Sequence, residues 1–357
     1  MDLETAPENE SARDTTLDGI FRTNVRRHPD ALALVDPPDR ATFTHGEPRR
    51  LSFADLDRAI SVLAQQLQAL GIPRGSPIAL QLPNIVEGVV ALLGIIRAGY
   101  VAVPLPLLWR QADAARALNE IGAAALIVTR DAAENARRIA AHTASLRYVC
   151  AFGEAPADGI VALGDVFSGN AVEVAPLPPH DTASPVLITF NAGLDGPDPF
   201  VRTQSELLVG GMATVLAARM RPRTVLLGTM LPSSFAVLAT TLVPWLLTGG
   251  TLLLHQPFDA ATCAAQIEQG GCDFAVLPGP CVPLLADAGL IDGERPAVLA
   301  VWRSPERQAG SAIWTGAAPL VDVLVFGEDA IVPLRRAADG RPAVIYAGPF
   351  LASDGTT

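Results

Sequence analysis

Residues 188–207 read "ITFNAGLDGPDPFVRTQSEL". An apolar strand runs into glycines and then into a helix. That arrangement aims backbone N–H groups at a phosphate. The strand and loop nevertheless hold two aspartates, Asp195 and Asp198, and no lysine, and their one hydroxyl is Thr189. Two readings stay open: a weak anion or nucleotide site, with Thr189, Asn191, Gly193, Asp195 and Gly196 around the ligand, or a turn without one. Asp, Gly and Pro are ordinary turn formers.

Other chemistry-bearing residues are sparse. All 26 basic residues are arginine. Lacking lysine, the chain cannot form a Schiff base or grip phosphate with an ammonium group. Cys150, Cys263, Cys272 and Cys281 form no CxxC pair and read as small buried hydrophobes. His28, His45, His142, His180 and His255 are scattered and suggest no triad. Trp245, Trp302 and Trp314 read as core or subdomain-interface residues. The formal charge is −11, with no basic block, so nucleic acid and anionic membrane are poor partners. Thr224 to Phe258 carries no charged residue, but Pro232, Pro244 and Gly249–Gly250 cut it short of the roughly 20 residues of a membrane span. The polar start "MDLETAPENESARDTT" is no signal peptide, so a cytoplasmic location is expected.

These residues need a scaffold, and the pattern predicts one. Ser52 with Asp55 has capping-box spacing, and Leu56, Ile60, Leu63, Leu67 and Leu70 keep helical period. Strands "PIALQL", "YVAVPL", "AALIVT" and "LRYVC" alternate with helices, including a largely apolar one ending near Gly99. After an irregular connection, residues 151–183, alternation resumes with "PVLITF", helix "SELLVGGMATVLAARM", "TVLLGT", one helix "SFAVLATTLVPWLL" and "TLLLH". "FAVLP", "AVLAVW" and "VDVLVFG" complete the strands. The pattern predicts an α/β fold of two subdomains, with mostly parallel sheets covered by helices. The expected division is 1–15 a disordered tail, 16–183 the first subdomain plus connection, 184–330 the second, and 331–357 a partial β-rich segment.

The wording and order of "HPDALALVD", "LSFADLDRAI", "LGIPRGSPIALQLPN", "GIIRAGYVAVPL", "LPSSFAVLATTLVPWLLTGGTLLLHQPFDA" and "VLVFGEDA" resemble the N-terminal domain of the AMP-forming acyl- and aryl-CoA ligases, the adenylate-forming superfamily. The resemblance covers roughly Thr16 to Ala330. It implies the two-subdomain fold, a phosphate loop at residues 191–200, and ATP, magnesium and CoA if the chain is an active ligase. It also implies a C-terminal lid domain after about residue 350, which this sequence does not contain.

The sequence departs from the family at each motif. The family loop runs Thr-Ser-Gly-Thr-Thr-Gly-x-Pro-Lys-Gly. Here Gly193 and Gly196 remain, Leu194 and Asp195 replace hydroxyls, and the lysine is lost near Pro199. A carboxylate about 5 Å from one phosphate charge costs on the order of 3 kcal/mol at an effective dielectric near 20. In the Tyr-Gly-x-Thr-Glu motif, Phe326 replaces tyrosine, Gly327 stays, Asp329 replaces threonine and Ala330 replaces the metal-binding glutamate. Phe326 is expected in the old adenine pocket. Glu328 and Asp329 are weak substitute ligands, or Asp195, Asp198, Glu328 and Asp329 together a rebuilt metal site. Ser234-Phe235 replaces an aromatic-His pair, making both ligand-cleft candidates, and Gln204 stands where a histidine is expected.

No catalytic, metal or cofactor assignment follows with force. The resemblance with these losses favours a homologue degenerate in carboxylate adenylation. It would bind a small carboxylate or acyl ligand, or a partner such as an intact synthetase or carrier protein. An active acyl- or aryl-acid ligase seen as an N-terminal fragment, and a non-catalytic nucleotide-binding regulator, are the alternatives.

Overall fold

The computed structural model describes residues 16–153, 158–164, 166–168, 182–193, 196–291, 293–304, 307–308 and 313–343. The expected N-terminal tail and the end of the 331–357 segment lie outside them. The strands, in chain order, are β1 Leu32–Val35, β2 Arg50–Ser52, β3 Pro77–Gln81, β4 Val101–Pro104, β5 Ala125–Val128, β6 Tyr148–Phe152, β7 Ile160–Leu163 and β8 Pro185–Gly193. After these come β9 Gly196–Thr203, β10 Val225–Gly228, β11 Thr251–Leu254, β12 Phe274–Pro278, β13 Ala297–Trp302, β14 Leu320–Phe326 and β15 Ala330–Arg335. The α-helices are α1 Leu17–Arg27, α2 Phe53–Ala69, α3 Val86–Arg97, α4 Gln111–Glu120, α5 Ala133–Ala140, α6 Gln204–Ala218, α7 Phe235–Thr240, α8 Leu242–Thr248, α9 Ala260–Gly270 and α10 Cys281–Asp287.

One sheet runs β7-β6-β5-β3-β4-β8-β9, and the other β15-β14-β13-β12-β10-β11-β1-β2. Both are parallel except at β9, β15 and β2, each antiparallel to its neighbour at an edge. The sheets do not divide the chain at 183/184. β1 and β2 cross into the second sheet, and the hairpin β8–β9 joins the first. Residues 151–183 also contribute a strand, β7, parallel to β6.

Local sequence explains most elements. Ser52 Oγ accepts the Asp55 N–H at 3.1 Å and starts α2, whose Leu56, Ile60, Leu63 and Leu67 are buried. All of α3 is buried, as an apolar helix sandwiched between layers should be. The largest core cluster draws on both sheets and on α1, α2, α3, α6, α7 and α8. At its heart Phe53 stacks on Trp245, with ring centroids 6.1 Å apart. Two outer clusters pack α4 and α5 on the first sheet and α9 and α10 on the second.

Two expectations fail for backbone reasons. "SFAVLATTLVPWLL" is two helices, not one, broken at Thr241 with φ −123° and ψ −73°. Pro244 has no N–H for the Thr240 carbonyl and its ring would clash there. β9 was hidden by Pro197 and Pro199, which fit an edge strand because its outer side needs no ladder donors.

Helix α6 reaches α7 and α8 through glycines. A Cβ on Gly211 would overlap Val243. Gly211→Ala therefore lowers stability by about 1–3 kcal/mol, despite the better helix propensity of alanine, read as a lower thermal midpoint. An unchanged midpoint would show that the contact relaxes freely.

Candidate functional site

A cleft opens where the carboxyl ends of strands from both sheets meet, the position at which open α/β sheets bind ligands. It comprises two adjoining cavities. The first, about 540 Å³, is lined by Trp109, Asp113, Phe190, Asn191, Ser234 and Glu328 among others. The second, about 710 Å³, shares Phe190, Ser234, Arg303 and Glu328 with it. Both volumes suit a small organic ligand.

The phosphate-loop candidate is a β-hairpin rather than a strand-to-helix loop. β8 pairs with β9 from Pro185 to Gly193, and the turn closes between Gly193 and Gly196. A Cβ on Gly193 would stand 2.7 Å from the Gly196 carbonyl, so only glycine permits this closure. Leu194 and Asp195 lie outside the described residues. Helix α6 starts only after β9, capped by Thr203, so its N-terminus is not at the turn. The Arg116 guanidinium, from α4, packs on Gly196, 2.8 Å from where a Cβ would sit.

Glu328 closes the cleft's inner wall. Its side chain is 5% exposed. Its Oε2 accepts the Phe235 N–H at 2.7 Å, and its own N–H donates to Asn191 Oδ1 at 2.7 Å. These two bonds tie the end of β14 to α7 and to the hairpin. Gly327 makes the approach possible: its φ is +57°, and a Cβ would lie 2.7 Å from Asn191 Oδ1. Behind the carboxylate, Arg202 is 3% exposed, 3.6 Å above the Phe235 ring centroid and 4.4 Å from that of Phe200. Burial pulls its guanidinium below the ordinary range, and Glu328, Glu206 and Asp329 pull it back.

Burial likewise lifts the Glu328 carboxyl above its ordinary 4.5, opposed by the Phe235 N–H, the Thr189 hydroxyl and the charges of Arg202 and Arg303. Thr189 Oγ1 is buried and has no hydrogen bond of good geometry, although it stands close enough to favour the carboxylate. Ser234 Oγ is buried without a partner among the described residues.

Asn191, Gly193, Gly196, Ser234, Gly327 and Glu328 thus come together around the first cavity. Thr189 lies beneath it, and Phe235 contributes its N–H and a ring under Arg202. Phe326 does not fill a pocket: it is 42% exposed and lines neither cavity. Asp198 and Asp329 are also exposed and line neither, because they fall on the outward side of β9 and of the turn after β14. Among the described residues no group of three or more His, Cys, Asp and Glu gathers to hold a metal. Gln204 is structural, its Oε1 accepting the Leu17 N–H at 3.0 Å. Burial pushes the Cys150 thiol up to about 12 and Cys263 to about 11, as inert core cysteines should behave.

Sequence reasoning missed Arg202, Arg303, Trp109 and Asp113. The signal for Arg202 was the one cation of the edge strand β9, following the apolar pair Phe200–Val201. The others reach the cleft only through the fold.

Two helix-covered, mostly parallel sheets with a glycine hairpin at their shared carboxyl edge define the N-terminal domain of an adenylate-forming enzyme. A family model described as AMP-binding enzyme matches residues 21–330, and the chain belongs to that family. The salicyl-AMP ligase / salicyl-S-ArCP synthetase of Mycobacterium tuberculosis is 30% identical over 281 residues, 76% of this chain and 47% of that protein. A long-chain-fatty-acid–CoA ligase of Escherichia coli O6:H1 is 31% identical over 132 residues, 37% of this chain and 22% of its own length. The chain thus spans less than half the length of these curated relatives. Mycobacterium smegmatis MbtA superposes with a TM-score of 0.73 at 25% identity, over 92% of this chain and 62% of that one. The Klebsiella oxytoca NpsA N-terminal subdomain, solved with 3-hydroxybenzoyl-AMSN, shares the fold with a TM-score of 0.63 at 20% identity, over 87% and 72%. Among the described residues no helix is long and apolar enough to cross a membrane.

The raised carboxyl of Glu328 gives a pH test. Folding favours its protonated form, so that stabilisation is complete below 4.5 and is lost as pH rises through the folded value. Glu328→Gln keeps an acceptor for Phe235 but does not titrate. Thermal unfolding from about pH 4 to about pH 8 should show the parent losing stability relative to E328Q as pH rises. A difference that stays constant would contradict the shift.

Proposed function

We propose that this chain is a pseudoenzyme of the adenylate-forming family that binds an acyl or aryl carboxylate in the cleft and does not efficiently activate it with ATP. One observation carries the reading: the polar groups best placed to meet magnesium and phosphate are already engaged, the Glu328 carboxylate accepting the Phe235 N–H and Asn191 Oδ1 accepting the Glu328 N–H.

The residues present do not fit a magnesium ion. Glu328 is the carboxylate nearest the hairpin's inner wall, and it is buried between the charges of Arg202 and Arg303, which would repel a cation. Asp329 is exposed and Asp113 sits across the cavity on α4. Without a metal, the triphosphate would meet carboxylates uncompensated, at a cost of several kcal/mol. A carboxylic acid carries a single charge and avoids that cost. The apolar walls around Phe190 and Trp109, whose rings meet edge-on at 5.2 Å, suit its body. The relatives' names, salicyl-AMP ligase and long-chain-fatty-acid–CoA ligase, support an aryl or acyl acid as ligand. An artificially fused NpsA–ThdA adenylation–PCP di-domain among the structural neighbours supports a carrier protein as partner.

A second reading is favoured by Arg116. Its guanidinium beside Gly196 puts a cation at the turn where the family lysine is missing, which would suit an active acid–thiol ligase. ATP–pyrophosphate exchange with salicylate, benzoate, octanoate and hexadecanoate separates the two. Exchange at background, with heat of binding for at least one acid in calorimetry without ATP, is expected. Exchange well above background establishes the ligase instead. Heat with ATP or AMP alone, and no exchange, establishes a nucleotide-binding regulator.

A further inference from the structure

The larger cavity carries a charge pattern of its own. Its walls are apolar, from Met230, Pro257, Phe258, Val301 and Trp302. Its cations are Arg303 and Arg307, and neither has an ion-pair partner among the described residues. Its one described carboxylate is Glu328, already bonded to Phe235. His255 also lines it but adds no charge. Burial pulls the imidazole below its ordinary range, and Nε2 accepts the Asp259 N–H at 3.2 Å while Nδ1 meets Gln266 Oε1 at 2.6 Å. Two guanidiniums against one carboxylate leave a positive spot on a chain whose formal charge is −11.

This spot is anchored. Trp302 Nε1 donates to Asp322 Oδ1 at 2.8 Å, and Gln308 Nε2 donates to Asp322 Oδ2 at 3.1 Å. Asp322 is fully buried, and Arg336 holds it at 2.8 Å. The residues just before Arg303 and just after Arg307 are therefore tied to one buried carboxylate. Pro305 and Glu306, between them, lie outside the described residues. Where the cavity joins the smaller one, at a junction that Arg303 also lines and Arg307 does not, the Ser234 hydroxyl is buried and has no partner among the described residues.

We propose that the cleft selects an acid with an apolar body and a second anionic group. The aliphatic form is a dicarboxylic acid, and the aromatic form an aryl acid with a second acidic substituent. Arg307, which lines the larger cavity alone, holds one anion with Arg303 beside it, and the Ser234 hydroxyl donates to the other at the junction of the cavities. The proposal deepens the acid-binding reading above and rests on it. The arginine pair has a physical reason to discriminate. A hydrogen bond between carboxylate and guanidinium is roughly twice as strong as one between neutral groups. An apolar cavity alone would prefer the methyl end of a monoacid.

The test is calorimetric titration of the full chain with matched pairs: octanedioate against octanoate, and phthalate against benzoate. The expected result is a diacid at least about tenfold tighter than its monoacid, in the aliphatic pair, the aromatic pair or both, which also identifies the body. In Arg307→Gln and in Arg303→Gln the ratio of diacid to monoacid affinity falls about tenfold. Both arginines are exposed, so the variants should fold. Ser234→Ala weakens the two members of a pair alike. Equal affinities for diacid and monoacid, or arginine variants that leave the ratio unchanged, overturn this proposal while the acid-binding reading stands. No heat from any of the four acids at millimolar concentration removes the acid-binding reading and the selectivity together.

Discussion

The cleft is organised by one buried carboxylate. Glu328 receives an N–H from α7 and gives its own N–H to Asn191 on the hairpin, so a helix and an element of each sheet meet at a single residue. Removing a carboxylate from water is costly unless its lone pairs are satisfied. The Phe235 N–H, the nearby Thr189 and the two arginines provide that compensation. The same interactions fix the cavity's shape, because Gly327 must leave room for Asn191. Structure and site chemistry therefore cannot be varied independently here.

This economy explains the character of the cleft. The Glu328 carboxylate at the junction of the two sheets is engaged by the Phe235 N–H. Arg202, clamped between Phe200 and Phe235, supplies positive charge behind that carboxylate. What remains accessible is apolar surface with guanidiniums at its edge, and that combination suits organic anions. Gly210 lets Phe235 and Ala239 of α7 pack close on α6, as Gly211 does for Val243 of α8, and the first N–H of α7 reaches Glu328.

Most of the scaffold was legible along the chain. Periodicity located α2, α3 and α4 and nearly every central strand, since buried parallel strands and amphipathic helices write themselves as apolar patterns of fixed period. The capping pair Ser52–Asp55 marked a helix start to the residue. Edge elements were less visible. β9 carries two prolines, an aspartate and an arginine, and β7 is four residues long. Their strand character comes from the neighbour they pair with. The exchange of β1–β2 and β8–β9 between sheets was invisible for the same reason: pairing partners distant in sequence leave no local trace.

The site divides along the same line. Sequence alone determined which chemical groups exist: no lysine anywhere, glycines at 193, 196 and 327, and a motif with glutamate one position after Gly327 rather than three. It also determined the family resemblance, because the order of motifs is a property of the string. Only the tertiary structure decided what those groups face. It turned Phe326, Asp198 and Asp329 outward, buried Glu328, and brought Arg303 to the cleft, Arg202 onto Phe235 behind it and Arg116 against the hairpin turn. The physical reason is that burial and charge proximity depend on distances across the fold, whereas residue identity and periodicity are local to the chain.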